Sequence, residues 1–77
     1  MTLEHPGTIV FVDADRGTET SRDASRVPDR IRFAATAEGQ VPVVKVVARS
    51  QGRRRIIRSY DERGRVVSST VQEADEP

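Results

Sequence analysis

The chain alternates. From Asp29 to Gly39, Ile31, Phe33, Ala35 and Ala37 occupy every second position, with Arg30, Arg32, Ala34 and Thr36 between them. Side chains point alternately to the two faces of a strand, so this segment predicts a strand buried on one side and wet on the other. Residues 41–50, VPVVKVVARS, carry apolar residues at both parities: Val41, Val43 and Val47 on one face, Val44, Val46 and Ala48 on the other. That pattern predicts a central strand, with Pro42 near its start, where a missing N–H is tolerated. The short apolar run Ile9–Val12 predicts the first strand, and 53–60 and 65–72 predict the last two. Residues 16–29 contain one valine, no period, and turn-forming Gly17 and Pro28, which reads as a long polar loop. A helical turn near 21–26, capped by Ser21, would have no apolar face and so would be marginal.

Five strands, the last four joined by short loops, predict an all-β fold. It reads as a small antiparallel meander, curled into a partial barrel or packed as a sandwich. One domain spans 1–77, and its acidic end, 73–77, is expected to be disordered. The sheet's open edges would invite pairing with another chain, which predicts a homo-oligomer.

The sharpest local signal is RSYDERGRVVSST, residues 58–70. Asp61 suits the first position of a type I turn, where its carboxylate accepts from the backbone two residues on; Gly64 suits the last. A type I turn followed by a left-handed glycine joins two strands with a bulge. The simplest register sets Tyr60 opposite Val66 and Ile56 opposite Thr70. Tyr60-Asp61-x-x-Gly64-Arg65, with Gly52 before it and Thr70 after it, also resembles one YD repeat of the Rhs-type shell proteins. In that family many such hairpins wind in series into hollow shells around a cargo. The likeness covers residues 52–70. It departs at Arg58, where an aromatic is usual, and at Val66, where leucine is usual. One unit cannot bury a core as stacked repeats do, so the resemblance implies a hairpin and carries nothing about shell or cargo.

Composition sharpens the picture. Val, Ile and Thr number eleven, four and six, against a single leucine, Leu3. Branched side chains favour a pleated surface over a helix. A chain of 77 residues buries only about 60% of its unfolded surface, so its stability is thin. There is no cysteine, which excludes disulfides, thiolate metal sites and thiol catalysis. The one histidine, His5, lies beside Pro6 in an N-terminal segment expected to fray, so no metal site is predicted. No stretch is long and apolar enough for a membrane span, and MTLEHPG lacks a signal pattern. A soluble, cytoplasmic protein is the expectation. No cofactor and no small-molecule substrate is evident.

One stretch is similar to a catalytic motif. IVFV followed by Asp13-x-Asp15-x-Gly17-Thr18 resembles the first motif of the haloacid-dehalogenase phosphatases. There one aspartate attacks phosphorus, a second protonates the leaving group, and magnesium sits between them. That fold needs a parallel sheet with crossover helices, and further motifs supplying a lysine and more acids. This chain is too short for those helices, and its one lysine, Lys45, lies in mid-strand. The reading is a strand ending in a polar turn, and no enzyme is predicted. Nor is it a calcium loop, because Ala24 stands where a bidentate glutamate belongs.

The net charge of +1 hides a layout of −3 over 1–29, +1 over 30–40, +6 over 41–70 and −3 over 71–77. The basic segment holds Arg49, Arg53, Arg54, Arg55, Arg58, Arg63 and Arg65, with Tyr60 among them. Alternation places Arg54 and Arg58 on one face and Arg53 and Arg55 on the other, with Arg63 and Arg65 at the far turn. Twelve of thirteen cations are arginine, a skew that codon usage alone can produce. Three readings therefore compete. The first is a solvated edge, partly neutralised by Asp61 and Glu62. The second is a docking surface for an acidic protein, which could be another subunit's Asp13/Asp15 or 73–76 tail. The third is a nucleic-acid surface with arginines on phosphates and Tyr60 stacking, although such platforms usually offer two or three aromatics. The expectation is a non-enzymatic β-sheet interaction module that self-associates, docks an acidic protein partner through hairpin 49–65, or does both. A nucleic-acid-binding protein using the same residues is the alternative.

Overall fold

Ile9 is completely buried, and the strand that carries it organises the fold. The computed structural model describes residues 7–73. Seven strands follow one another: β1 Thr8–Asp13, β2 Thr18–Asp23, β3 Phe33–Thr36, β4 Gly39–Pro42, β5 Lys45–Gln51, β6 Arg54–Tyr60 and β7 Val66–Glu73. Between β2 and β3 lie a 3₁₀ turn, Ala24–Arg26, and one helical turn, Asp29–Arg32. The expected all-β class holds. Five strands form one sheet in the order β2-β1-β5-β6-β7, and β3-β4 is a separate hairpin. No helix among the described residues is long and apolar enough to cross a membrane.

The pairing is mixed where a pure antiparallel meander was expected. β1 lies parallel to β5, with Phe11 beside Val46 and Val12 beside Val47, while every other pair is antiparallel. Parallel neighbours need a long crossover. Residues 14–44 provide one out of a hairpin arm, two short helical turns and the β3-β4 hairpin. The sheet does not close into a barrel.

Four local readings change. The predicted strand 41–50 is broken at Val43 and Val44: Val41 and Pro42 end β4 in the small hairpin, and only Lys45–Gln51 forms the central β5. The stretch 16–29 is not a loop throughout: Thr18–Asp23 pairs with β1 as an edge strand, exposed along its whole length. The short turn after it starts at Ala24, and its cap is Asp23, which accepts from the Ser25 N–H at 3.0 Å; Ser21 belongs to β2. The stretch 29–39 begins as a helical turn, because the Ile31 and Arg32 amides donate to the Pro28 carbonyl. Its strand starts only at Phe33, and the buried residue is Ala34, with Ala35 exposed. The N-terminal segment with His5 and the tail 74–77 lie outside the described residues, and Glu73 ends β7.

Residues 24–44 form a second layer over one face of the sheet. Ile9 and Val46 meet Ala24, Val27, Ala34 and Val43, with Phe11, Ile31, Val41, Ile57 and Val67 packed around them. Val43 therefore joins the core, and only Val47 of its predicted face stays on the other side. The core occupies one end of the sheet. Further along the same face Ser50, Arg55 and Gln72 are exposed. The radius of gyration, 13.2 Å, exceeds the roughly 11 Å of a compact chain of this length.

Candidate functional site

β5 and β6 are the two strands that build the basic region, and their register decides what it looks like. The pairs are Lys45 with Tyr60, Val47 with Arg58, Arg49 with Ile56 and Gln51 with Arg54. All eight side chains share the sheet face away from the core. Each cation stands opposite a neutral residue, so no two cations oppose one another directly, the arrangement that would destabilise the sheet. Neither strand carries an acid. Val10 and Val12 of β1 and Val71 of β7 extend the face on either side. Val71 is 55% exposed. The residues Val47, Arg49, Gln51, Ile56, Arg58 and Tyr60 line a shallow open depression of about 250 Å³.

The predicted site residues thus divide. Arg49, Arg54, Arg58 and Tyr60 come together on this open face. Arg55 has the opposite parity and lies on the core-side face, beyond the core. Arg53 sits in the two-residue loop between β5 and β6, next to Gly52, whose φ of +63° suits a tight hairpin that places glycine first. Arg63 and Arg65 are held at the other end of β6, around Asp61. Sequence reasoning missed four members: Lys45, Val47, Gln51 and Ile56. The alternation Arg54-Ile56-Arg58-Tyr60 carried the signal for Ile56. Lys45, Val47 and Gln51 needed the β5-β6 register.

Among the described residues, counter-charge enters at the margins, from Glu73, from Glu19 and, near Arg49, from Asp15. Glu73 reaches Arg54 at 3.6 Å across β6-β7. Glu19 lies beyond Val12 on β2. Both partners of the Arg54–Glu73 pair are largely exposed, and such pairs contribute little.

Asp61 anchors the far turn. Its Oδ1 accepts from the Arg63 and Arg65 amides, both at 2.9 Å, and its Oδ2 from Arg65 Nε at 3.1 Å. The Gly64 N–H donates to the Asp61 carbonyl at 3.0 Å, which closes the predicted turn, and Gly64 has φ +78°. The Arg65 backbone amide first, then that of Arg63 and the Arg65 side chain, hold the Asp61 carboxyl below the usual carboxylate range; burial opposes them. A bulge follows between Ser59 and Tyr60. Tyr60 faces Val66 as expected, but past the bulge Ile56 pairs with Val71, and Thr70 pairs with Ile57.

The two aspartates of the phosphatase-like motif are engaged in turns. Asp13 Oδ1 accepts from the Asp15 and Arg16 amides at 3.1 and 3.3 Å. The Asp15 carboxylate accepts from the Ser50 amide at 3.0 and 3.1 Å, tying the β1-β2 turn to β5. Hydrogen bonds from Ser50, side chain then backbone, hold Asp15 below the usual range, with Arg55 and Arg49 adding to the effect. Among the described residues no three His, Cys, Asp or Glu side chains gather as a metal site would require. Compared with models of known protein families, with curated proteins and with solved structures, the chain matches none.

Proposed function

We propose that this protein is a non-enzymatic interaction module that docks an acidic protein segment on the open face of its five-stranded sheet. The observation that carries the reading is the chequerboard of β5 and β6: Lys45, Arg49, Arg54 and Arg58 alternate with Val47, Ile56 and Tyr60 on a face that no other element among the described residues covers. A partner strand or loop with carboxylates between apolar residues would meet both halves of that pattern. Carboxylates would take bidentate hydrogen bonds from the guanidinium groups, and apolar side chains would cover Val47 and Ile56. The aromatic distribution favours a protein over a nucleic acid. Phe11 lies on the core side, its ring 6.0 Å from the Arg22 guanidinium carbon, and Phe33 lies in β3, which leaves Tyr60 alone to stack a base.

The test compares an acidic peptide of alternating Glu and Ile with single-stranded RNA. Replacing Arg49, Arg54 and Arg58 together with Ser should abolish peptide binding without unfolding the sheet. Replacing Arg53, Arg55 and Arg63 should leave most of it. Tight RNA binding that falls with salt by a log–log slope near 0.7 per phosphate contact would favour the nucleic-acid reading. Equal losses in the two triple variants would remove the open face from consideration.

A further inference from the structure

The two edges of the sheet differ in how they are protected. β2 is six residues long and carries Glu19, Arg22 and Asp23. β7 is eight residues long and, from Val66 through Gln72, has no charge, no proline and no glycine. Its members are Val, Ser and Thr apart from the final Gln72 and Glu73, and all but Val67 are exposed. Natural sheets blunt their edges with charges, prolines, bulges or very short strands. The bulge at Ser59/Tyr60 falls at the start of β7 and leaves Ser68 to Glu73 in unbroken register with β6. Among the described residues, no strand takes up the outward amides and carbonyls of that stretch.

We infer that the outer edge of β7 pairs antiparallel with β7 of a second copy, joining two five-stranded sheets into one of ten strands. The choice of a second copy follows from charge and closure. An antiparallel pair related by a two-fold axis normal to the sheet keeps each face continuous and matches residues of the same face. With Thr70 on the axis, Ser69 stands opposite Val71 and Ser68 opposite Gln72, so no charges oppose one another within the paired span. Branched and hydroxyl side chains make favourable cross-strand neighbours. The charged β2 edge offers a poor second contact, so the pairing closes as a dimer and does not grow into a filament. The small core gives the pairing a thermodynamic role, since among the described residues only Ile9 and Val43 are large side chains buried almost completely. A dimer of this geometry sets two basic open faces side by side. The pairing itself does not depend on what those faces bind.

The chain has no cysteine of its own, which permits a direct test. Thr70→Cys should give a disulfide-linked dimer on mild oxidation, because directly opposed residues of a non-hydrogen-bonded antiparallel pair bring their Cβ atoms to about 4.5 Å, the upper end of the disulfide range. Thr20→Cys, at the middle of β2, should stay monomeric. In light scattering over a concentration series, the parent chain should reach the mass of two chains. Ser69→Glu with Val71→Glu should halve that to the 8.6 kDa of one chain. In the folded monomer these glutamates stand opposite Arg58 and Ile56 of β6, so they leave its charge balance no worse. A parent chain that stays monomeric throughout, equal cross-linking of the two cysteine variants, or species larger than two chains would each overturn the proposal. The cross-linking result stands even if the double glutamate variant does not fold.

Discussion

Ile9 and Val10 are neighbours in β1, both branched and apolar, and the sheet sends them to opposite sides. Ile9 lies in the core with Val46 and Val43, while Val10 faces outward beside Lys45. Ile57 and Ile56 of β6 divide in the same way: Ile57 packs against the core, and Ile56 lines the open depression. The difference does not lie in the strands, which are apolar on both faces. It lies in what the crossover supplies. Residues 14–44 contribute Ala24, Val27, Ile31, Ala34, Val41 and Val43, enough to cover one end of one face and no more. Among the described residues the sheet is covered on one side only, which keeps its second apolar face available, and that face is laced with cations.

The comparison can be broken from the core side first. Ile9→Ala removes a completely buried side chain, at a cost of about 2–5 kcal/mol, in a chain whose total stability is of the order of 5 kcal/mol. The variant should be largely unfolded by circular dichroism at room temperature. A cooperative unfolding transition close to the parent's would show that the second layer is not what holds the sheet.

The next largest effect belongs to the Asp61 turn. Asp61→Ala leaves the Arg63 and Arg65 amides without their acceptor and should lower the thermal midpoint more than Asp61→Asn, which keeps one acceptor oxygen. The same group sets a pH dependence. Its folded pKa lies below the ordinary 3.8, as do those of Asp15 and Asp23. Groups with depressed folded pKa values stabilise the protein above their unfolded pKa. That contribution is lost as pH falls from 3.8 through the lower folded values. Stability should therefore be flat above about pH 5 and fall below it. Asp61→Asn should make the fall shallower, and an unchanged acid limb would remove Asp61 from the account.

The smallest effect should come from the open face. Ile56→Ala deletes a half-buried side chain with no second layer over it and should cost about 1 kcal/mol. A loss equal to that of Ile9→Ala would mean the two faces are covered alike.

What the sequence revealed follows the same physical divide. The 61–64 turn was legible because Asp61 and Gly64 act locally, through one carboxylate and one left-handed backbone. β5 was legible as central because Val46 and Val47 point to opposite faces and both need cover. β2 left no imprint, since Thr18–Asp23 buries nothing and is held only by backbone pairing to β1. The helical turn at 29–32 hid inside an alternating pattern, and Pro28, whose carbonyl takes the Ile31 and Arg32 amides, was its one signal. The parallel contact of β1 with β5 is a property of the whole crossover, which no local pattern records. The bulge at Tyr60 shifted the β6-β7 register by one residue, enough to exchange Thr70 for Val71 opposite Ile56. For the candidate site, side-chain parity grouped Arg54 and Arg58. Arg49, Lys45 and Val47 joined them only through the register of two strands.

The central claim is that the uncovered face is the one that meets a partner. Titrating the labelled protein with an acidic peptide of alternating Glu and Ile, and following backbone and side-chain resonances by NMR, tests it most directly. The account predicts shifts concentrated at Lys45, Val47, Arg49, Ile56, Arg58 and Tyr60, with Ile9, Val43 and the Asp61 turn unmoved. Shifts confined to Arg53, Arg63 and Arg65, or spread through the core, would contradict it.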